Sequence, residues 1–150
     1  GWDGGGNSGG WYRSFFKSLD IALRYGYEKI IHVESDAYLI RKRIFEYVEE
    51  TDFGWTAFWC HLFKFPESSL QIICRDQFES FQRFKAGGYE HYISKMAETL
   101  IPFTRYEAFF IGDRFGEYLG KKGGDERVPQ SSEMDYYCQC ASNLIIKPEL

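Results

Sequence analysis

The chain has 150 residues, of which 44% are hydrophobic and 27% charged, enough for one domain with a real core and too few for two. A formal net charge of −4, with no run that concentrates Lys and Arg, argues against a nucleic-acid binder; Arg41, Lys42 and Arg43 read as a solvated helix start. No stretch approaches the roughly 20 apolar residues of a membrane span, no signal peptide is evident, and the first residue is Gly, so the sequence is expected to begin inside a longer gene product or after a removed tag.

The opening GWDGGGNSGG is a glycine-rich loop. It lacks the G-x-x-x-x-G-K-[ST] pattern of a phosphate loop. Ser8 is placed to cap a helix from about Gly9 to Tyr25, with Trp11, Phe15, Leu19, Ala22 and Leu23 on one face and Gly26 as its stop. EKIIHV is a buried strand, and RKRIFEYVEE a helix facing inward through Ile44, Tyr47 and Val48. GWTAFWC and SLQIIC are strands separated by a loop holding Pro66.

From Asp76 to Lys85 a helix repeats Phe78, Phe81 and Phe84 at three-residue steps and ends at Gly87 and Gly88. A further helix is expected over about Glu90 to Leu100. EAFFIG fits strand or helix equally and leads into a short helix beginning near Asp113. Residues 121–132 are the most loop-like internal stretch, and DYYCQC and NLIIK are short closing strands. Alternating helices and strands predict a single α/β domain over residues 1–150, with an open, mostly parallel sheet flanked by helices.

Four cysteines, Cys60, Cys74, Cys138 and Cys140, sit in apolar surroundings, and their single C-x-C does not supply the paired spacing of a zinc site. Reduced thiols and a cytoplasmic location are the default. The aromatic content, 19%, suits a core but also sites that stack on flat ligands such as sugars or bases.

In IIHVESDAYL an apolar run ends in two carboxylates, Glu34 and Asp36, on either side of Ser35. In an extended chain they project from one face and repel unless a cation or water separates them. Ligands of open α/β sheets bind beyond the carboxyl ends of strands. Hard divalent ions such as Mg²⁺ and Mn²⁺ take one or two such carboxylates while phosphates and water complete the shell. A solvated strand end, or a carboxylate capping the helix near Arg41, is the alternative.

The order NSGGWYRSFFKSLDIALRYGYEKIIHVESDAYL resembles the middle of a nucleotide-sugar-dependent glycosyltransferase of the GT-A, Rossmann-like fold. There a helix, often opened by Asn-Gly, leads into a strand ending in a D-x-D motif. Glu34, Ser35 and Asp36 match that motif with Glu in first place. The resemblance implies Asp36 as direct metal ligand, Glu34 as a direct or water-mediated one, and Asn7 and Ser35 on the donor side. GWTAFWCHLFKFPESSLQIICRDQFESFQRF resembles the segment that follows, implying that Trp55, Trp59 or Phe63 stacks on a sugar ring. FFIGDRFGEYLG resembles the place of an acidic base, implying Asp113, with Glu107 and Glu117 as alternatives and a plain helix N-cap as the other reading. A third metal ligand near the end of the domain is implied at Asp135, with His61 and His91 as lesser candidates.

The family's N-terminal strand, helix and strand, which hold the nucleotide base, have no counterpart ahead of Gly1, so the fold is expected to be incomplete there. The implied activity is sugar transfer from a nucleotide-sugar donor to a glycan or lipid-linked acceptor, hexosyltransferase-like and dependent on Mn²⁺ or Mg²⁺. Peripheral association with a membrane is compatible with it. A metal-dependent phosphoryl-transfer or nuclease-like enzyme and a non-catalytic carbohydrate-binding domain are the rival readings.

Overall fold

The computed structural model describes residues 8–61, 64–88, 92, 96–113 and 134–138. Helix α1 spans Ser8–Tyr25, one residue longer at its start than expected. Tyr12, Phe15, Phe16, Leu19 and Ala22 are buried along its inner face, whereas Leu23, expected there, is exposed. Gly26 takes φ 71°, and the Tyr27 N–H donates to the Ala22 carbonyl at 2.9 Å. This is the bond that closes a helix through a left-handed glycine.

Strands β1 (Lys29–Val33), β3 (Trp55–Cys60), β4 (Phe65–Cys74) and β5 (Arg105–Glu107) form a sheet in the order β1-β4-β3-β5. β4 is antiparallel to both β1 and β3, and β5 is parallel to β3. Three of the four strands therefore run in one direction and β4 alone runs against them. The expected open α/β sheet is present, but as a mixed sheet. β3 and β4 are joined by residues 61–64 alone, far too short for the crossover that parallel neighbours need.

Helix α3 (Phe78–Ala86) buries Phe78, Phe81 and Phe84 as the three-residue spacing predicts. It packs with α1 on one face of the sheet, around Phe15, Trp55 and Ile73. On the other face helix α2 (Lys42–Glu50) buries Ile44 and Val48 against Phe58, Leu70 and Ile72. A smaller sheet joins β2 (Tyr38–Leu39), β7 (Tyr136–Tyr137) and β6 (Gly112–Asp113), in that order. Of the helix expected over 90–100, Ala97–Thr99 form a 3₁₀ turn, while residues 89–91 and 93–95 lie outside the described set. NLIIK and the 121–132 loop also lie outside it. Cys60, Cys74 and Cys138 are buried free thiols. Among the described residues no helix is long and apolar enough to cross a membrane.

Tyr12 is only 2% exposed, and its hydroxyl makes no hydrogen bond among the described residues. Burial, then the negative charge of Glu98 and the neighbouring Tyr92, pushes its phenol up to about 12. A folded-state value above the unfolded one of about 10 means that the unfolded chain loses this proton first as pH rises. Stability present below pH 10 is therefore lost between about pH 10 and 12, by roughly 2 kcal/mol. Tyr12→Phe removes an unsatisfied hydroxyl, so stability at pH 7 is expected to hold or rise. Its urea midpoint should fall less steeply than that of the wild type between those pH values, and equal slopes would refute the assignment.

Candidate functional site

Because β1, β3 and β5 share one direction, their carboxyl ends lie along one edge of the sheet. β1 reaches that edge at Val33, paired with Leu70, and the Glu34 N–H adds a last bond to the Ser69 carbonyl at 2.9 Å. The chain then turns, with the Ala37 N–H donating to the Glu34 carbonyl at 3.0 Å. Glu34 and Asp36 are thus positions one and three of a four-residue turn. The extended i, i+2 geometry predicted for them is not the one present. The strand stops because β4 itself is irregular here. Its pairing with β3 steps from Ala57↔Gln71 to Phe58↔Glu67, so Ser68, Ser69 and Leu70 bulge out of that ladder and leave little to continue the β1 pairing.

The two acids sit in different environments. The Glu34 side chain is 19% exposed, and its Oε1 accepts the Trp11 indole N–H at 2.7 Å. His32 Nε2 stands 3.9 Å from the same oxygen and makes no hydrogen bond among the described residues. Asp36 is half-buried, and its carboxylate has no partner among the described residues. Ser35 is exposed at the turn's tip. Glu34 keeps Oε2, and Asp36 keeps both oxygens, for an outside partner. Two hard oxygen donors on one short turn fit a small divalent cation whose remaining positions go to phosphate and water. Among the described residues no three His, Cys, Asp or Glu side chains gather as a metal-holding group.

The bulge brings polar groups to this edge, where the sequence reads as a loop with Pro66 running into the strand SLQIIC. Glu67, Ser68, Ser69 and Gln71 are all buried. The Glu67 carboxylate accepts the Ser69 N–H at 3.0 Å. Ser68 Oγ donates to Glu98 Oε1 at 2.9 Å. Gln71 Nε2 donates to the Ser68 carbonyl at 2.6 Å, and Gln71 Oε1 accepts the Trp55 indole N–H at 2.9 Å. The one signal available in the sequence was that PESSL is too polar for the core yet runs straight into an apolar strand.

The remaining candidates separate. Trp55 is fully buried, its ring 4.9 Å from Phe81 and 6.2 Å from Phe15. It has no open face for a sugar, and its expected stacking role gives way to a core one. Trp59 is half-buried at the end of β3, edge-on to the exposed Tyr106 at 6.1 Å, and remains available. Asp113 lies on strand β6, parallel to β7; the helix expected to begin near it falls on residues outside the described set. The Glu107 carboxylate accepts the Phe109 N–H at 2.7 Å, and a His61 ring nitrogen lies 3.0 Å from the Ala108 carbonyl. Asn7, Phe63, His91 and Glu117 lie outside the described residues.

Asp135 is buried, and its carboxylate is already engaged. Arg43 Nε and a terminal guanidinium nitrogen each donate to it at 2.6 Å, and the Ile111 N–H donates at 2.7 Å. The guanidinium in turn lies over the Phe109 and Phe110 rings, at 4.9 and 5.5 Å. This bidentate pair ties α2 to the small sheet and occupies the oxygens that a metal would need. Arg43→Met leaves the buried carboxylate without its counter-charge and is expected to cost about 3 kcal/mol. Asp135→Asn, which buries no charge, should cost less, and the reverse order in chemical denaturation would contradict this role.

No protein-family model matches the sequence, and no curated protein matches it. The fold is similar to the crystal structure of a glycosyltransferase involved in the glycosylation of the major capsid of PBCV-1. The TM-score is 0.53 and the identity 12%, with the match covering 92% of this chain and 74% of that one. The chain therefore has an α/β fold of mixed sheet and flanking helices similar to that of a glycosyltransferase.

Proposed function

We propose that the protein is a glycosyltransferase of the GT-A type that moves a sugar, most simply a hexose, from a nucleotide-sugar donor to a hydroxyl of a glycan or lipid-linked acceptor. The observation that carries this reading is the Glu34–Ala37 turn. It presents two acids, one of them without any partner among the described residues, at the carboxyl end of β1 in a fold shared with a glycosyltransferase. Asp36 and Oε2 of Glu34 would hold Mn²⁺ or Mg²⁺, and a cation there supplies charge neutralisation for a diphosphate leaving group. Ser35, exposed at the tip of the turn, would face the donor. Trp59 with Tyr106 would offer the acceptor an aromatic surface, since both rings are within reach of solvent at the strand ends.

Calorimetric titration of UDP and of GDP, each with and without Mn²⁺, tests the reading. Binding that requires the metal is expected for at least one nucleotide. If neither binds in the presence of Mn²⁺, the transferase reading fails.

A further inference from the structure

Among the described residues, the Glu34 carboxylate is held from one side only. The Trp11 indole reaches its Oε1 across 23 residues of sequence, at 2.7 Å. An N–H bonded to a charged acceptor is among the stronger hydrogen bonds available to a protein. The indole is itself locked in place. It stacks on Phe15 at 4.8 Å and 23°, and meets Tyr12 and His32 edge-on at 4.8 and 5.5 Å. The His32 ring adds a second nitrogen on the Oε1 side, 3.9 Å away. Oε2 receives nothing among the described residues.

We propose that Trp11 is a positioning residue that makes Glu34 a one-oxygen ligand and thereby selects a small octahedral cation over a large one. The inference rests on the metal-binding reading of the Glu34–Asp36 turn. Mg²⁺ and Mn²⁺ take six ligands in near-octahedral array and accept one oxygen from each carboxylate. Ca²⁺ takes six to eight at longer range and readily takes both. With one lone pair of Oε1 held by the indole, the two-oxygen mode is disfavoured at Glu34 and the one-oxygen mode through Oε2 favoured. Partners that orient a ligating side chain typically contribute about 10- to 100-fold in metal affinity.

Trp11→Phe keeps the aromatic packing and deletes the N–H. Separate titrations of Mn²⁺ and Ca²⁺ against the UDP-saturated protein are expected to show Mn²⁺ affinity lower by about 10-fold. Ca²⁺ affinity should be unchanged or higher, so the Mn²⁺/Ca²⁺ ratio falls. An unchanged ratio in the variant overturns the proposal while leaving the wild-type site standing. A wild type that binds no Mn²⁺ overturns the functional reading, and this inference with it. A second measurement does not need Trp11→Phe to fold. The Trp11 indole N–H resonance, assigned through its contact with the His32 ring, should move upfield in Glu34→Gln and broaden on addition of Mn²⁺ to the wild type. A resonance that does neither shows that the indole does not hold the ligand.

Discussion

Asp36→Ala is expected to lower the affinity for nucleotide with Mn²⁺ by about 1000-fold, beyond what loss of an orienting partner alone costs. Asp36 carries no hydrogen bond or ion pair among the described residues, so its removal takes nothing from the fold, and the thermal midpoint should stay within a degree or two of the wild type. Glu34→Ala should behave differently. It removes one ligand oxygen and also strands the partly buried Trp11 N–H, at a cost of about 1–3 kcal/mol. The two variants thus separate a ligand that serves only the cation from one that also belongs to the core. Calorimetry and thermal denaturation on the same samples check both. An Asp36→Ala protein that binds the metal-nucleotide pair as the wild type does would remove Asp36 from the site.

Trp55→Ala is expected to cost about 4 kcal/mol of folding stability, the range of large aromatic truncations in cores. The ring touches Phe15, Phe81, Phe84 and Phe103, joining α1, α3 and the sheet. Its indole N–H is satisfied by Gln71, which in turn holds the Ser68 carbonyl of the bulge. The loss is therefore transmitted to the edge where the acids sit. Trp59→Ala, at a half-buried position, should cost far less stability and act on acceptor affinity instead. Denaturant unfolding of the two variants checks the contrast, and equal costs would contradict the division of roles.

Much of the frame was legible from residue spacing. The apolar face of α1 and its stop at Gly26 follow from helical periodicity and from the conformational freedom of glycine, as does the Phe78–Phe81–Phe84 stripe of α3. Each depends on neighbours within one or two turns, which is the range over which sequence pattern carries information. The carboxylate pair at the end of β1 was legible for the same reason.

Strand direction was not, because an apolar run reads the same whichever way it points. The short link between β3 and β4 became decisive only once β4 was seen to start at Phe65. The roles of the tryptophans and of Asp135 were likewise out of reach. Trp55 and Trp59 lie four residues apart on one strand with similar neighbours in sequence. What divides them is that α1 and α3 cover the first and leave the second at the edge. Asp135 lies among polar residues that could equally serve a metal, until Arg43, 92 residues away in sequence, is brought against it. Sequence alone determined α1, β1, α2, β3 and α3, and the place of the two acids at the end of β1. Tertiary structure decided which side chains remain free to act, because burial and charge pairing are set by residues far apart along the chain.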